Sequence, residues 1–508
     1  MFETYLSNLF RSTKTPHLFG DASGVLTRRG SKDLVDRIAH AIHDRTSLLG
    51  RPASVAIYLP RDNSYLASIF AVWQSGYHYI PLNQAWPERY TQQILDDARP
   101  DLLIADTRQF EESTPTLDVY EAEACAAPSA GLLSAWRERA SEPGIAYVIY
   151  TSGSTGGQKG VVISKKALAA YIDWVGRALR ENEDNQRLLI NGEMSFDISL
   201  ADLSFALAFE TEIHISPNAK NMLAHARLLR DRGIDTFYGV PSTLNRLFSW
   251  ASTRKGLKFE DLRTVFSGGD ALTFGLIDVV RQVAPNARCY NMYGPTEVTM
   301  NCLYFPIPWN EGDSRLEGAV PTGVEFDHLS YELVDPDNLS SSSGEGELIV
   351  SGDQCMDAYL NDPERTAAAF VTMGGKRYYR TGDLFQRAAN GVYSIVGRVD
   401  AVVKVKGYRI NTNTIDSVLL DEKWLQDART ITVRTEDDEA HIVTFLSLSA
   451  PVADYAEILS RKCQAVLPQY MVPSHFFRLD QLPQGKTGKV DTAALKELAA
   501  QSLAALCS

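Results

Sequence analysis

Short apolar runs alternate with amphipathic stretches through the first half of the chain. Leu34, Val35, Ile38, Ala39 and Ile42 recur at helical spacing, which predicts a helix with one apolar face over 34–42. SVAIYL (54–59), YHYIPL (77–82) and DLLIAD (101–106) are nearly continuous apolar runs, the pattern of strands covered on both faces, with a helix-like stretch at 66–75 between the first two. The alternation resumes near 145. IAYVIY is followed by a helix near 166–180, RLLI by a helix near 200–209, and TEIHI by a helix near 222–231 and then TFYGV. Buried runs that alternate with helices predict an α/β fold, with parallel sheets covered by helices.

The pattern changes after about residue 300. Segments 327–333, 345–351, 392–397 and 401–405 are strand-like with little helix between them. They predict a β-rich subdomain over about 302–399, with SSSSGEGE (340–347) as a polar loop inside it. Helical patterns then return at 414–420, 454–466 and 491–505, beside strand-like runs at 429–435 and 441–448. A small α+β domain over 400–508 is expected to follow a large domain over 1–399.

Composition narrows the class. With 44% hydrophobic and 22% charged residues the 508-residue chain is not mainly disordered. Its 50 Lys and Arg against 63 Asp and Glu leave a formal charge of −13, which argues against general binding to nucleic acid or anionic membranes. No apolar run is long enough to insert across a bilayer, and the N-terminus MFETYLSNLFRSTKTPHLF lacks the basic head and apolar stretch of a secretory leader. The six cysteines, at 125, 289, 302, 355, 463 and 507, form no CxxC pair, so reduced thiols are expected rather than disulfides or zinc ligands. A cytoplasmic enzyme is the expectation that remains.

The strongest local signal for chemistry follows IAYVIY. It reads Thr151, Ser152, Gly153, Ser154, Thr155, Gly156, Gly157, Gln158, Lys159, Gly160. Glycines let backbone N–H groups turn toward an anion, four hydroxyls add donors, and Lys159 adds a charge. This is a phosphate loop by composition. It is not the Walker pattern, because Gln158 precedes the lysine and Gly160 follows it. A Ser/Gly surface loop has the same composition, so the segment needs company to carry a function.

The company is an ordered series. TSGSTG with its following KG resembles the signature of the adenylate-forming superfamily, which includes acyl- and aryl-CoA synthetases, luciferases and the adenylation domains of nonribosomal peptide synthesis. WQSGYHYIPLNQAWPERY (73–90), NMYGPTE (291–297), GELIVSGDQCMDAYLNDPERTAAAF (346–370), YRTGD (379–383), GRVDAVVKVKGYRI (397–410) and LPQGKTGKVD (482–491) resemble further elements of that superfamily, in its order. The resemblance runs from about residue 30 to the end.

The resemblance implies an enzyme that uses ATP and Mg2+ to convert a carboxylate into an acyl adenylate, which a thiol then attacks with loss of AMP. Tyr293 would lie against adenine, with Gly268, Gly269 and Asp270 of VFSGGDA and with Asn291, Met292 and Gly294 lining the nucleotide. Thr296 would bond the α-phosphate, Glu297 would ligate Mg2+, Asp383 would hold the ribose and Arg398 would assist there. Residues 151–156 and Lys159 would cradle the phosphates. Lys489 would bridge the substrate carboxylate and the α-phosphate, Asp400 would be the hinge of the C-terminal domain, and Gly407 would line the thiol tunnel. Without the resemblance, a bland role exists for each: a packed core aromatic for Tyr293, a solvated helix start for Glu297, a turn or cap for Asp383, a plain turn for the glycines.

FDISLADLSFAL (196–207) resembles the start of the substrate pocket in the amino-acid-activating members. Asp197 stands where those enzymes hold the α-ammonium group; its bland alternative is a helix N-cap. The remaining pocket positions, by the same resemblance, are Ile198, Ala201, Tyr238, Phe266, Gly268, Met292, Met300 and Asn301. They are mostly apolar and contain no second charge, which points to a small or medium neutral amino acid. The implied acceptor is the phosphopantetheine thiol of a separate carrier protein, and the chain resembles a stand-alone ligase of the D-alanine:carrier-protein type. An acyl-CoA synthetase and an idle nucleotide- or metabolite-binding regulator are the alternatives. Three departures stand out: Gln158 replaces the usual proline, Lys165 the histidine after the loop, and Lys406 the arginine of the later KIRG element.

Overall fold

The computed structural model describes residues 1–106, 110, 114–152, 158–308, 318–342, 344–399, 402–405, 407–422, 424–434, 440–448, 451–483 and 490–507. The chain divides into two compact units, one of residues 1–84, 95–150 and 160–397, the other of 85–94, 151–159 and 398–508.

The first unit is the parallel α/β architecture that the alternation predicts. Ser54–Tyr58 lies between His78–Pro81 and Leu102–Ala105, all parallel, with Ile57 opposite Pro81 on one side and Ile104 on the other. The connecting helix Asn63–Gln74 is capped by Asp62, whose carboxylate accepts from the N–H groups of Ser64 and Tyr65. With Ile145–Ser152 and Gln158–Ser164 these strands belong to a sheet of seven among the described residues. A second, nine-stranded sheet carries Arg187–Ile190, Thr236–Tyr238, Thr264–Gly268 and Arg288–Tyr293 side by side. One apolar core joins side chains of both sheets, among them Trp73, Tyr79, Tyr147 and Phe266.

Two helices matter for the site. Lys165–Ala178 starts on Ser164, whose hydroxyl accepts from Ala167 N–H. It packs against Ile198–Phe209, which also touches the strands Arg187–Ile190 and Glu212–Ile215. Ile198–Phe209 is apolar nearly all round and almost wholly buried, as an internal helix must be.

The strand-rich stretch folds as a five-stranded sheet. Ser330–Val334, Glu345–Ser351, Lys376–Arg387 and Phe370–Met373 follow one another antiparallel, and Tyr393–Arg398 also pairs with Lys376–Arg387. The first strand begins at 330 rather than 327, because the chain turns there with Leu329 N–H on Phe326 carbonyl. In the second unit, the hairpin Val402–Val405 and Tyr408–Asn411 turns at Gly407, whose φ of +84° suits glycine. A mixed sheet of Leu425–Arg434, Ala440–Leu448 and His475–Arg478 accompanies the helices Thr412–Leu420, Tyr455–Val466 and Thr492–Cys507. Cys125, Cys289, Cys302, Cys355 and Cys463 are free thiols. Among the described residues no helix is long and apolar enough to cross a membrane.

One buried histidine gives the fold a pH dependence. His225, on the helix Met222–Asp231, is buried beside Phe237 and its Nε2 has no partner. Burial pushes its pKa down from 6.5 to about 4. Between those values the unfolded chain takes up a proton that the folded chain refuses, so the stability present above pH 6.5 is lost as pH falls toward 4. Over that window the melting temperature of the parent should fall relative to His225→Gln, which has no imidazole to titrate. Parallel profiles for the two proteins would refute the assignment.

Candidate functional site

The site grows from the ends of three parallel strands. Tyr238 is in register with Phe266, and Gly268 with Met292. Gly268 has no room for a side chain: a Cβ would stand 2.5 Å from Met292 carbonyl oxygen and 2.7 Å from Tyr238 hydroxyl. The next residue, Gly269, has a φ of +84°. Together they bring bare backbone to the sheet edge, so the plain-turn reading of these glycines does not describe them. Gly294 is excluded from bearing a side chain for the same reason, since a Cβ would run into Met300 carbonyl oxygen and lie 2.5 Å from Asn301 Cα.

Tyr293 ends its strand with its hydroxyl donating to Asp383 Oδ2 at 2.5 Å and its ring edge-on to Phe385 at 4.9 Å. Asp383 is neither turn nor cap. It is buried inside the strand Lys376–Arg387, and its N–H donates to Thr381 Oγ1 at 3.1 Å. Thr381 in turn donates to Leu348 carbonyl at 2.7 Å, which ties the carboxylate to the five-stranded sheet. Asn291 donates to Pro321 carbonyl at 2.9 Å, and Asp270 accepts from Ala271 N–H at 2.7 Å.

The segment after Tyr293 is held under strain. Thr296–Val298 forms a single 3-10 turn, and Thr299 and Met300 then take φ values of +51° and +75°. Side chains in this region cost roughly 1–3 kcal/mol each and persist only where their surroundings fix them. Gln354 does so. It is fully buried, and its amide donates to Val298 carbonyl at 2.7 Å and Asn301 carbonyl at 2.5 Å. Its own backbone carbonyl accepts from Thr299 hydroxyl at 2.6 Å, and its side-chain oxygen faces His328 Nε2 at 3.0 Å. Gln354 was not singled out by sequence; it sits inside the GDQ segment with nothing in its residue type to distinguish it. Glu297 is fully buried rather than a solvated helix start, and Tyr359 hydroxyl donates to its Oε1 at 2.8 Å.

Beside this lies a small cavity of about 10 Å³, room for about one water. Ala201, Tyr238, Phe266 and Met292, four of the pocket positions expected from sequence, line it together with Tyr171 and Asp202. Asp197, Ile198, Gly268, Met300 and Asn301 are not among the residues that line it. Asn301 reaches it through Tyr238, whose hydroxyl donates to Asn301 Oδ1 at 3.2 Å, while Asn301 Nδ2 donates to Tyr171 hydroxyl at 2.8 Å. Asp197 stands at the start of Ile198–Phe209 but makes no side-chain capping bond. Its charge adds to burial in raising the pKa values of Tyr147, Tyr238 and Tyr171. Asp202 lines the cavity and was not among the pocket positions read from sequence. Its signal was available, as the one acid in an otherwise apolar helix.

In the second unit, Thr151 is buried at the end of Ile145–Ser152 and Lys159 near the start of Gln158–Ser164. Ser152 closes the first of these strands, and Arg398 is half-buried at the end of Tyr393–Arg398. Gly153, Ser154, Thr155, Gly156, Asp400 and Lys489 lie outside the described residues. Lys165, which replaces the histidine after the loop, is buried and directs Nζ at the carbonyls of Gly76, Arg139, Ala140 and Glu142 at 3.3–3.4 Å. It ties the end of Ala130–Ser141 to the Gly76 turn.

These residues fit a nucleotide. Bare backbone at Gly268 and Gly269 lets a flat ring approach closely, Asp383 is the acceptor that a diol needs, and buried Glu297 is a hard oxygen donor of the kind Mg2+ prefers. The AMP-binding enzyme family matches residues 11–360, well over half of the chain.

The chain belongs to the AMP-binding enzyme family. It is 30% identical over 92% of its length to surfactin synthase subunit 2 of Bacillus subtilis (strain 168), of which it covers 13%. Its fold is similar to a Vibrio cholerae adenylation domain solved in complex with glycyl-adenosine-5'-phosphate, with a TM-score of 0.83 and 23% identity over 98% of each chain. It is also similar to an artificially fused adenylation–PCP di-domain from Klebsiella oxytoca, with a TM-score of 0.78 and 22% identity over 94% of each chain. The chain spans less than a fifth of the length of the curated relatives it matches first.

Within this AMP-binding enzyme, Gln354 separates fold from site. Gln354→Leu should strand the carbonyls of Val298 and Asn301, release the strained 299–300 backbone and lower adenylation by about tenfold or more, with a fall of only a few degrees in melting temperature. An ATP–pyrophosphate exchange rate equal to the parent's would show that the 298–301 segment is set by other contacts.

Proposed function

We propose that the chain activates a small or medium amino acid with ATP as an aminoacyl adenylate and passes the aminoacyl group to the phosphopantetheine thiol of a carrier protein. The reading is supported by Asp197, which makes no capping bond at the start of Ile198–Phe209, the helix whose Ala201 lines a small cavity with Tyr238, Phe266 and Met292. A carboxylate at that helix start suits a substrate that brings a cation, and the α-ammonium group of an amino acid supplies one. A fatty or aryl acid brings none.

The chain's own residues divide the remaining work. Gly268, Gly269 and Tyr293 make a narrow flat slot for adenine, with Asp270, Asn291, Met292 and Gly294 around it. Asp383, fixed by Tyr293 and Thr381, accepts from the ribose hydroxyls, and Arg398 assists there. Thr296 presents a hydroxyl to the α-phosphate, while Thr151, Ser152, Lys159 and the loop between them serve the phosphates. When bound at Glu297, Mg2+ supplies charge neutralisation for the phosphates. Lys489 brings an ammonium to the junction of carboxylate and phosphate, where charge builds as pyrophosphate leaves. Asp400 serves as the pivot that exchanges Lys489 for the Gly407 loop, and Gly407 lines the path of the thiol. The roles of Asp400 and Lys489 rest on the sequence resemblance.

Two substitutions test this division. Asp197→Ala should raise the KM for the amino acid by about tenfold or more while leaving ATP binding unchanged, because it removes one charge-assisted contact to the ammonium group. An unchanged KM would remove the ammonium contact from the account. Lys489→Ala should lower ATP–pyrophosphate exchange by about a hundredfold or more, with ATP affinity retained. Comparable exchange in variant and parent would exclude the lysine. Transfer to free coenzyme A in preference to carrier protein would favour an acyl-CoA synthetase instead.

A further inference from the structure

The segment 356–361 ties together parts of the first unit that are far apart in sequence. Its short strand Ala358–Tyr359 lies antiparallel to Gln158–Ser164, with Tyr359 opposite Val161. Backbone bonds extend the grip: Asp357 N–H donates to Val162 carbonyl at 3.0 Å and Leu360 N–H to Gly160 carbonyl at 2.8 Å. Asn361 then turns the chain with a φ of +55°, and its Nδ2 donates to Asp97 carbonyl at 2.7 Å. The Asp97 carboxylate accepts from Tyr150 hydroxyl at 2.6 Å. Tyr150 and Gly160 stand on either side of the Ser/Gly loop in sequence, so one segment is linked to the strand before it and the strand after it.

The same segment holds Glu297 twice. Met356 N–H donates to Glu297 carbonyl at 2.8 Å, and Tyr359 hydroxyl donates to Glu297 Oε1 at 2.8 Å. Both Glu297 and Tyr359 are buried. Tyr359 has little freedom, since its N–H donates to Thr366 Oγ1 at 2.9 Å and its ring belongs to the apolar core. The strand register therefore fixes the hydroxyl, and the hydroxyl fixes one oxygen of the carboxylate. A phenylalanine would fill the same space in the core, so packing accounts for the ring and the contact with Glu297 accounts for the hydroxyl.

We propose that Tyr359 is a positioning residue: its hydroxyl holds the Glu297 carboxylate in the orientation that takes the Mg2+ accompanying ATP. This rests on the reading of Glu297 as the Mg2+ ligand. A ligating carboxylate is itself oriented by a hydrogen bond from the protein, and removal of such a bond typically weakens metal affinity by about tenfold to a hundredfold. Because 356–361 also grips Gly160, Val162 and Asp97, the carboxylate is set relative to the strands that flank the Ser/Gly loop, the other group assigned to the phosphates.

ATP binding in the absence of any amino acid tests the proposal, measured by calorimetry first with EDTA and then across a Mg2+ titration. For Tyr359→Phe, ATP affinity in EDTA should stay within about twofold of the parent's, while the Mg2+ concentration that gives half of the Mg2+-dependent gain in affinity should rise about tenfold. A titration that matches the parent's overturns the proposal, even if the variant melts at a lower temperature. An equal loss with and without Mg2+ overturns it too, because it assigns the hydroxyl to the shape of the nucleotide site. Glu297→Gln separates the proposal from the reading beneath it. That variant should lose the gain altogether. If the gain survives there, or is absent from the parent, Glu297 is not the ligand and both fall; if Glu297→Gln loses the gain and Tyr359→Phe titrates like the parent, the positioning role alone falls. If Tyr359→Phe does not fold, Thr366→Val, which removes the acceptor of Tyr359 N–H, takes its place. Its titration should shift in the same direction, and an unshifted curve overturns the proposal.

Discussion

The site depends on one constraint, the register of the parallel strands Thr236–Tyr238, Thr264–Gly268 and Arg288–Tyr293. Because Tyr238 is in register with Phe266 and Gly268 with Met292, residues far apart in the chain arrive at the same height of the sheet. Side chains from successive positions of a strand point to opposite faces, so the register also decides which of them share a wall. A slip of one residue would exchange the cavity-lining set for the set that faces the other side. Gly268 enforces the arrangement sterically, since nothing larger fits between Met292 carbonyl and Tyr238 hydroxyl.

Polar links then carry the constraint outward. Tyr293 couples the end of its strand to Asp383 on a different sheet, and Thr381 passes that coupling to Leu348. Gln354 does similar work for the strained turn, binding carbonyls on both sides of Thr299 and Met300. Each of these groups is buried, where a missing partner costs more than the bond itself contributes. The site is thus rigid because its parts are mutually dependent, and the strained backbone at 299–300 is sustained by those partners.

Much of this could be read from the residues alone, for definable reasons. Apolar runs such as SVAIYL and RLLI are buried on both faces, so their pattern is continuous and short, and the strands Ser54–Tyr58 and Arg187–Ile190 fall within them. The five-stranded sheet was legible in outline, but Lys376–Arg387 was not seen as a strand: it is twelve residues long and carries YRTGD, whose Gly382 and charged residues obscure alternation. The helices Phe2–Arg11 and Phe274–Val283 also went unread, although Phe2, Leu6 and Leu9 recur at helical spacing. Ordered motifs gave the family because they are long. They could not give Gln354 or Asp202, whose importance lies in what surrounds them: a glutamine is ordinary until its two acceptor carbonyls are known. The pocket positions supplied by the resemblance did not include Asp202, which lines the cavity.

The two aspartates of Ile198–Phe209 show how one helix can place two acids in unlike settings. Asp197 sits at the N-terminal end, half-buried, where the helix dipole favours negative charge. Asp202 lies inside the helix, more than a turn from its start, and is buried with its Oδ2 unpartnered. The first acid is favoured by its position at the helix start. The second is not, and a leucine there would extend the apolar surface that makes this helix fit its surroundings.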